Sequence, residues 1–156
     1  MPRPTARPAV TAPRGAGAGY SGTPLPQKLG LRDGQVAAFV ALPETLAWLA
    51  DAADFADVRR LKSWPEIAKL KACDFIHAFT VSAAELIAGL PRLQAAIKRD
   101  GAIWVSWPKK ASKVPTDITE DVIRDGALAL DLVDVKVAAV DDVWSGLKLV
   151  IRKERR

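Results

Sequence analysis

The chain has 156 residues, 49% of them hydrophobic, and a formal net charge of +5, so it is the size of one domain and carries enough apolar material for a core. Arg3, Arg7 and Arg14 lie in an acid-free stretch over residues 1–19; once they are set aside, 20 Lys+Arg face 18 Asp+Glu, a balance that argues against a dedicated nucleic-acid binder. A single cysteine, Cys73, excludes an intramolecular disulfide, a single histidine, His77, leaves no zinc-type Cys/His cluster, and no apolar run approaches the roughly 18 residues of a membrane span.

Residues 1–19 are almost entirely Pro, Ala, Gly, Arg and Thr. They have little to bury and read as a disordered tail, with the folded domain over 20–156. The tail has no apolar signal-peptide core, and Pro2, Pro4, Pro8 and Pro13 interrupt any amphipathic transit helix, so the cytoplasm is the expected compartment. After the turn Arg32-Asp33-Gly34, residues 35–41 are apolar beyond the first, as in a strand buried on both faces. Pro43-Glu44 opens a helix over about 44–53, a second strand fits 55–60, and Trp64-Pro65-Glu66 starts a short helix to Lys71. Cys73 to Thr80 is the third strand, whose lone thiol reads as a small buried hydrophobe and whose His77 reads as a satisfied core residue. Ser82 and Glu85 form a capping box for a helix to about Lys98. Asp100-Gly101 then turns the chain into a fourth strand, Ala102 to Trp107, in which Trp104 and Trp107 face opposite sides. Asp117 and Glu120 repeat the capping pattern before a helix over about 118–131. Leu132–Val140 and Leu147–Arg152, joined by residues 141–146, form an antiparallel pair.

Strands alternating with helices imply an α/β fold: a doubly wound, mostly parallel sheet with an antiparallel C-terminal hairpin. The passage from Leu90-Pro91-Arg92-Leu93 through Lys98-Arg99-Asp100-Gly101 to Ala102-Ile103-Trp104-Val105 resembles the leucine-rich helix, Lys-Pro-Gly-Gly turn and strand of the class I methyltransferases. The resemblance implies a methyltransferase-like sheet of order 2-1-3-4-6-5.

In such sheets the cofactor lies at the carboxyl end of the first strand, where a G-x-G-x-x-G-like turn brings bare backbone N–H groups against it. Here that position reads Ala41-Leu42-Pro43-Glu44-Thr45. Proline removes a donor and the side chains obstruct close approach, while Gly15, Gly17 and Gly19 follow no strand. Neither S-adenosylmethionine nor a dinucleotide is expected as an ordinary cofactor, and no cofactor or metal is assigned.

The same edge gathers the loop 108–117, the hairpin connection 141–146 and Leu42-Pro43-Glu44. It brings Lys109, Lys110, Ser112 and Thr116 towards Asp141, Asp142, Trp144 and Ser145, and lysines, hydroxyls and the start of the 118–131 helix make an anion pocket. Plainer roles compete: a loop Lys-Lys pair is ordinarily solvated, and Thr116 and Asp117 suit helix capping. Trp144 in a turn needs something to cover. Hydrolytic chemistry finds no support, since His77 is the single imidazole and no G-x-S-x-G, H-E-x-x-H or G-x-x-x-x-G-K-[ST] occurs. No catalytic residue is assigned.

Tyr20-Ser21-Gly22-Thr23-Pro24-Leu25 with Lys28-Leu29-Gly30, Trp104-Val105-Ser106-Trp107-Pro108-Lys109-Lys110, Val114-Pro115-Thr116-Asp117 and Trp144-Ser145-Gly146-Leu147-Lys148-Leu149-Val150 resemble a bacterial family of small proteins known as a domain of unknown function. The resemblance spans nearly all of 20–153 and implies a bacterial cytoplasmic protein with no catalytic residues to carry over. Several of its strings fall on the loop edge just described. The expected function is a non-enzymatic binding or regulatory module for an anionic small molecule or a partner protein. Two alternatives stand beside it: an unusual transferase using the same pocket, and nucleic-acid association through the Arg-rich start and Arg152-Lys153-Glu154-Arg155-Arg156.

Overall fold

A computed structural model describes residues 22–156; the expected tail over 1–19, with Tyr20 and Ser21, lies outside the described residues. Helix α1 is Leu25–Leu29 and ends at Gly30, whose φ of 84° is the left-handed turn that glycine takes without strain. Strand β1 is Val36–Val40, followed by a 3₁₀ helix Glu44–Asp51. Strand β2 is Asp57–Leu61, a second 3₁₀ helix covers Trp64–Lys69, and β3 is Cys73–Phe79. Helix α2, Ala83–Ala96, leads directly into β4, Ile97–Pro108. Helix α3, Glu120–Leu128, precedes the hairpin of β5, Leu132–Ala139, and β6, Trp144–Ile151. One six-stranded sheet runs β2-β1-β3-β4-β6-β5. The first four strands are parallel and β6 pairs antiparallel with both β4 and β5, as the alternation of elements implied.

The departures from the sequence reading are local. The segment after Pro43 is 3₁₀ rather than α. Its anchoring residues are Leu46 and Leu49, both buried, and a three-residue repeat places i and i+3 on one side. Helix α2 stops at Ala96 and β4 starts five residues early, because Cys73 pairs with Ile97 before an irregularity brings Phe75 opposite Ala102. Helix α3 is shorter than 118–131, since Thr119 and not Asp117 caps it by accepting from Val122 N–H. Strand β6 begins three residues early, because Asp141 Oδ1 accepts from both Val143 and Trp144 N–H (2.9 and 2.8 Å) and closes the tip over residues 141–143.

Two apolar layers sandwich β1, β3 and β4. On one face Ile76, Ile103 and Val105 meet Leu86, Leu90 and Leu93 of α2 and Ile123 of α3. On the other Phe39, Phe75 and Trp104 meet Leu29 of α1 and Leu46 and Leu49 of the first 3₁₀ helix. Trp104 is fully buried in the second layer and Trp107 buried in the first, as their spacing required. The Trp104 indole N–H donates to Leu29 C=O at 2.9 Å and so ties α1 to the sheet. Trp64 donates to Phe79 C=O at 2.8 Å, which fixes its ring against Gly89 of α2. A Cβ at Gly89 would collide with the six-membered ring of Trp64. Gly89→Ala is therefore expected to destabilise the fold by about 1–3 kcal/mol, although alanine is the better helix former, in a urea titration.

Cys73 is buried and burial pushes its thiol pKa up, as an inert core cysteine requires. His77 is fully buried beside Phe79, their rings stacked with centroids 4.2 Å apart. Its Nε2 meets Ser106 Oγ at 2.7 Å, while Nδ1 has no hydrogen-bond partner among the described residues. The expected satisfied histidine is thus satisfied at one nitrogen only. Burial pushes its pKa down to about 3, so the folded chain keeps the ring neutral at pH values where the unfolded chain takes up a proton. Stability is full above the ordinary histidine value of about 6.5 and falls as the pH drops below it, by ~2 kcal/mol at pH 5. Urea midpoints at pH 7.5 and 5.0 should show this loss in the native chain and a much smaller one in His77→Gln.

Candidate functional site

The carboxyl ends of β1, β3 and β4 and the tip of the β5–β6 hairpin form one edge. At β1 the chain leaves the sheet through Ala41, which donates to Leu61 C=O at 2.9 Å and adopts φ 56°, a left-handed conformation that costs a non-glycine residue free energy. Pro43 follows in an extended conformation and its C=O accepts from Leu46 N–H, so this carbonyl and its missing N–H belong to the start of the 3₁₀ helix. Nucleotide-binding sheets also place a carboxylate near the end of the second strand for a ribose. Here that end reads Leu61-Lys62-Ser63.

The structure brings together the two loops named from the sequence. Lys109 N–H donates to Val143 C=O at 2.7 Å, and Pro108 and Trp107 pair with Trp144 and Ser145. Most of the expected polar groups serve the loops themselves. Ser112 Oγ donates to Lys109 C=O and accepts from Val114 N–H. Thr116 Oγ donates to Val81 C=O at 2.7 Å and accepts from Ile118 N–H. Asp117 accepts from Ala83 N–H, an otherwise unpaired donor in the first turn of α2. Asp141 holds the hairpin tip as described. Lys110 and Asp142 are exposed, Ser145 is half-buried within β6, and Lys109 is half-buried. Trp144 is half-buried and meets Phe79 at right angles, ring centroids 5.2 Å apart. It belongs to a strand rather than to a turn.

A second group of cations lies beside this edge and escaped the sequence reading. Lys136 of β5 and Lys148 of β6 are direct cross-strand partners on the side of the sheet that α1 covers. Lys136 Nζ donates to Lys28 C=O at 3.1 Å, and Lys28 Nζ reaches Ala139 C=O at 3.4 Å. The pKa of Lys28 is lowered by burial first, then by Lys136 and Lys109; that of Lys148 is lowered by burial first, then by Lys136 and Arg32. Like charges placed opposite each other destabilise a sheet. None of these five residues forms an ion pair among the described residues, whereas several cations elsewhere do: Arg124 with Glu120, Asp121 and Asp134, Arg152 and Arg155 with Asp131, Lys98 with Asp74, and Arg59 with Asp57. The signal was present in the sequence. A hairpin centred on residue 142 places 136 opposite 148, but a connection drawn over 141–146 leaves that pairing undefined.

No protein-family model matches the sequence, and no curated protein is similar to it. Solved structures are. The ribosomal protein L11 methylase of Lactobacillus delbrueckii subsp. bulgaricus matches 82% of this chain and 75% of its own, at 13% identity and a TM-score of 0.53. The magnesium protoporphyrin IX methyltransferase of Synechocystis PCC 6803, solved with bound SAM, matches 82% of this chain and 74% of its own, at 13% identity and a TM-score of 0.58. TrmN of Thermus thermophilus matches 82% of this chain and 47% of its own, at 10% identity and a TM-score of 0.59. The fold is that of the class I methyltransferases. At these identities the likeness shows the fold alone. Within it, Ala41 adopts a left-handed backbone conformation where the cofactor turn of that fold would begin, and Pro43 and Glu44 follow where that turn carries glycines. Ala41→Gly is accordingly expected to stabilise the protein by about 0.5–1 kcal/mol, read as a higher urea midpoint, without conferring S-adenosylmethionine binding in a calorimetric titration.

Proposed function

We propose that this protein is a binding module: a methyltransferase fold that recognises an anionic ligand and carries out no methyl transfer. The observation that supports it is the convergence of Lys28, Lys109, Lys136 and Lys148, two of them depressed by burial and mutual repulsion, with no carboxylate in ion-pair contact among the described residues. An anion bound there relieves the repulsion, and half-buried lysines bind it more strongly than fully solvated ones. The loop residues Lys110, Ser112, Thr116, Asp141, Asp142, Trp144 and Ser145 border this group through the Lys109–Val143 hydrogen bond. Of them, Lys110, Asp142 and Trp144 retain side-chain surface, Ser112, Thr116 and Asp141 shape the loops, and Ser145 lies within β6. The resemblance to a small-protein family whose strings cluster on this edge points the same way, as does the proline-bearing turn after β1.

A transferase reading is favoured by one finding, the likeness to an enzyme solved with bound SAM. Thermal unfolding separates the two. Pyrophosphate or tripolyphosphate at ten times its dissociation constant is expected to stabilise the protein by about 1.4 kcal/mol, a rise of several degrees in Tm, with the gain shrinking as salt is added. The gain should largely disappear in Lys136→Gln with Lys148→Gln. A rise in Tm with S-adenosylmethionine or its demethylated product, and none with the phosphates, would refute the binding-module reading in favour of the transferase.

A further inference from the structure

We infer that the ligand of the basic face is a phosphodiester chain, and that this side of the hairpin is a binding surface for single-stranded nucleic acid. The inference rests on the anion-recognition reading above and names the ligand's class. Three observations carry it.

The first is segregation of charge. Beyond residue 19 the chain is nearly neutral, yet many of its acids sit in ion pairs with Arg124, Arg152, Arg155, Lys98 and Arg59. The cations on the α1 side of the hairpin have no such partners among the described residues. Lys28, Lys109, Lys136 and Lys148 thus make a cluster of one sign on a nearly neutral body, and it is the cluster, not the total, that a polyanion meets.

The second is extent. Lys148 and Lys136 lie side by side across β5 and β6, Lys28 is bonded to Lys136 through its carbonyl, and Lys109 stands at the hairpin tip next to Val143. Lys148 and Trp144 are four residues apart on β6, so the strip runs for about 13 Å. Arg32 lies close enough to lower the pKa of Lys148 and adds a further cation to the group. A lone phosphate or carboxylate answers one or two of these cations. A chain with one negative charge per repeat answers the whole row, and Lys136 and Arg32 are exposed to receive it.

The third is the aromatic at the end of the row. Trp144 is half-buried, its backbone N–H fixed by Asp141 and its ring braced at right angles by Phe79. A held, partly exposed indole beside a phosphate track offers a stacking surface for a base, and such stacking tolerates any sequence. An acidic peptide would use the lysines but would have no need of the indole.

Fluorescence anisotropy with the full chain and labelled 15-nucleotide single-stranded RNA and DNA tests this. The logarithm of the binding constant should fall linearly with the logarithm of salt concentration. Lys136→Gln with Lys148→Gln should reduce that slope by about 1.4, close to 0.7 for each cation removed from a single-strand contact. Lys148→Gln alone should reduce it by about half as much, and since Lys148 does not hold α1 in place, as Lys136 does, this variant remains informative if the double variant misfolds. Trp144→Leu should weaken binding severalfold at an unchanged slope. Arg59→Gln with Arg60→Gln, on the opposite edge strand β2, should change nothing. An unaltered slope in both lysine variants would assign the binding to the terminal arginines and overturn the inference. Competition by polyglutamate as effective as by unlabelled oligonucleotide, with no effect of Trp144→Leu, would overturn it in favour of an acidic peptide. Failure to bind oligonucleotide while tripolyphosphate still raises Tm overturns this inference and leaves the anion reading intact. Failure of both removes both.

Discussion

The constraint from which the rest of this molecule follows is the burial of β1, β3 and β4 on both faces. Ala38, Ile76 and Ile103 are sealed beneath α2 and α3, while Phe39, Phe75 and Trp104 are sealed beneath α1 and the first 3₁₀ helix. A strand closed on both sides offers a ligand nothing along its length. Chemistry is left two places: the carboxyl ends of the strands, and the outer hairpin, where the covering layer gives out. His77 shows how strict the rule is. Its ring is fully buried within β3 and reaches only Ser106, so the one imidazole of the chain is part of the core.

At the carboxyl edge the loops are largely occupied with holding themselves. Thr116 and Asp117 reach back to Val81 and Ala83, Ser112 closes its own turn, and Asp141 closes the hairpin. These hydroxyls and carboxylates satisfy backbone groups that the end of a sheet necessarily leaves open. They fix the loops after β3, β4 and β5 relative to one another. What they leave uncommitted is charge: Lys109 at the join of two loops, and beside it the lysines of α1, β5 and β6.

The strands were legible because β1, β3 and β4 carry continuous apolar runs of strand length, bounded by Pro, Ser and Gly signals, and the final hairpin because its connection is short; their order came from the resemblance to the class I methyltransferases. Boundaries were less so where tertiary partners decide them. Nothing local says that Asp117 will be drawn to Ala83 and leave the cap of α3 to Thr119, or that Ile97 will pair with Cys73. The candidate site divided in the same way. Loops on the carboxyl edge could be named because topology places them there. Whether each hydroxyl was free could not, since that depends on partners as far as 35 residues away, as for Thr116 and Val81. The basic strip was the least legible, because it assembles residues 28, 32, 109, 136 and 148 from four separate parts of the chain.

Net charge misleads in this protein for a reason that the ion pairs make plain. Arg124 alone engages Glu120, Asp121 and Asp134, on α3 and at the inner end of β5. Acids used in this way contribute to the total but not to the field on the other side of the sheet, where Lys28, Lys136 and Lys148 repel one another across a partly desolvated surface. The cost of that repulsion falls on a hairpin that also positions α1, through Lys136 and the carbonyl of Lys28. A fold that needed only to hold α1 down could have used any donor at residue 136. Holding it with one of several mutually repelling cations is a costlier arrangement, and on the reading proposed above a bound polyanion offsets that cost.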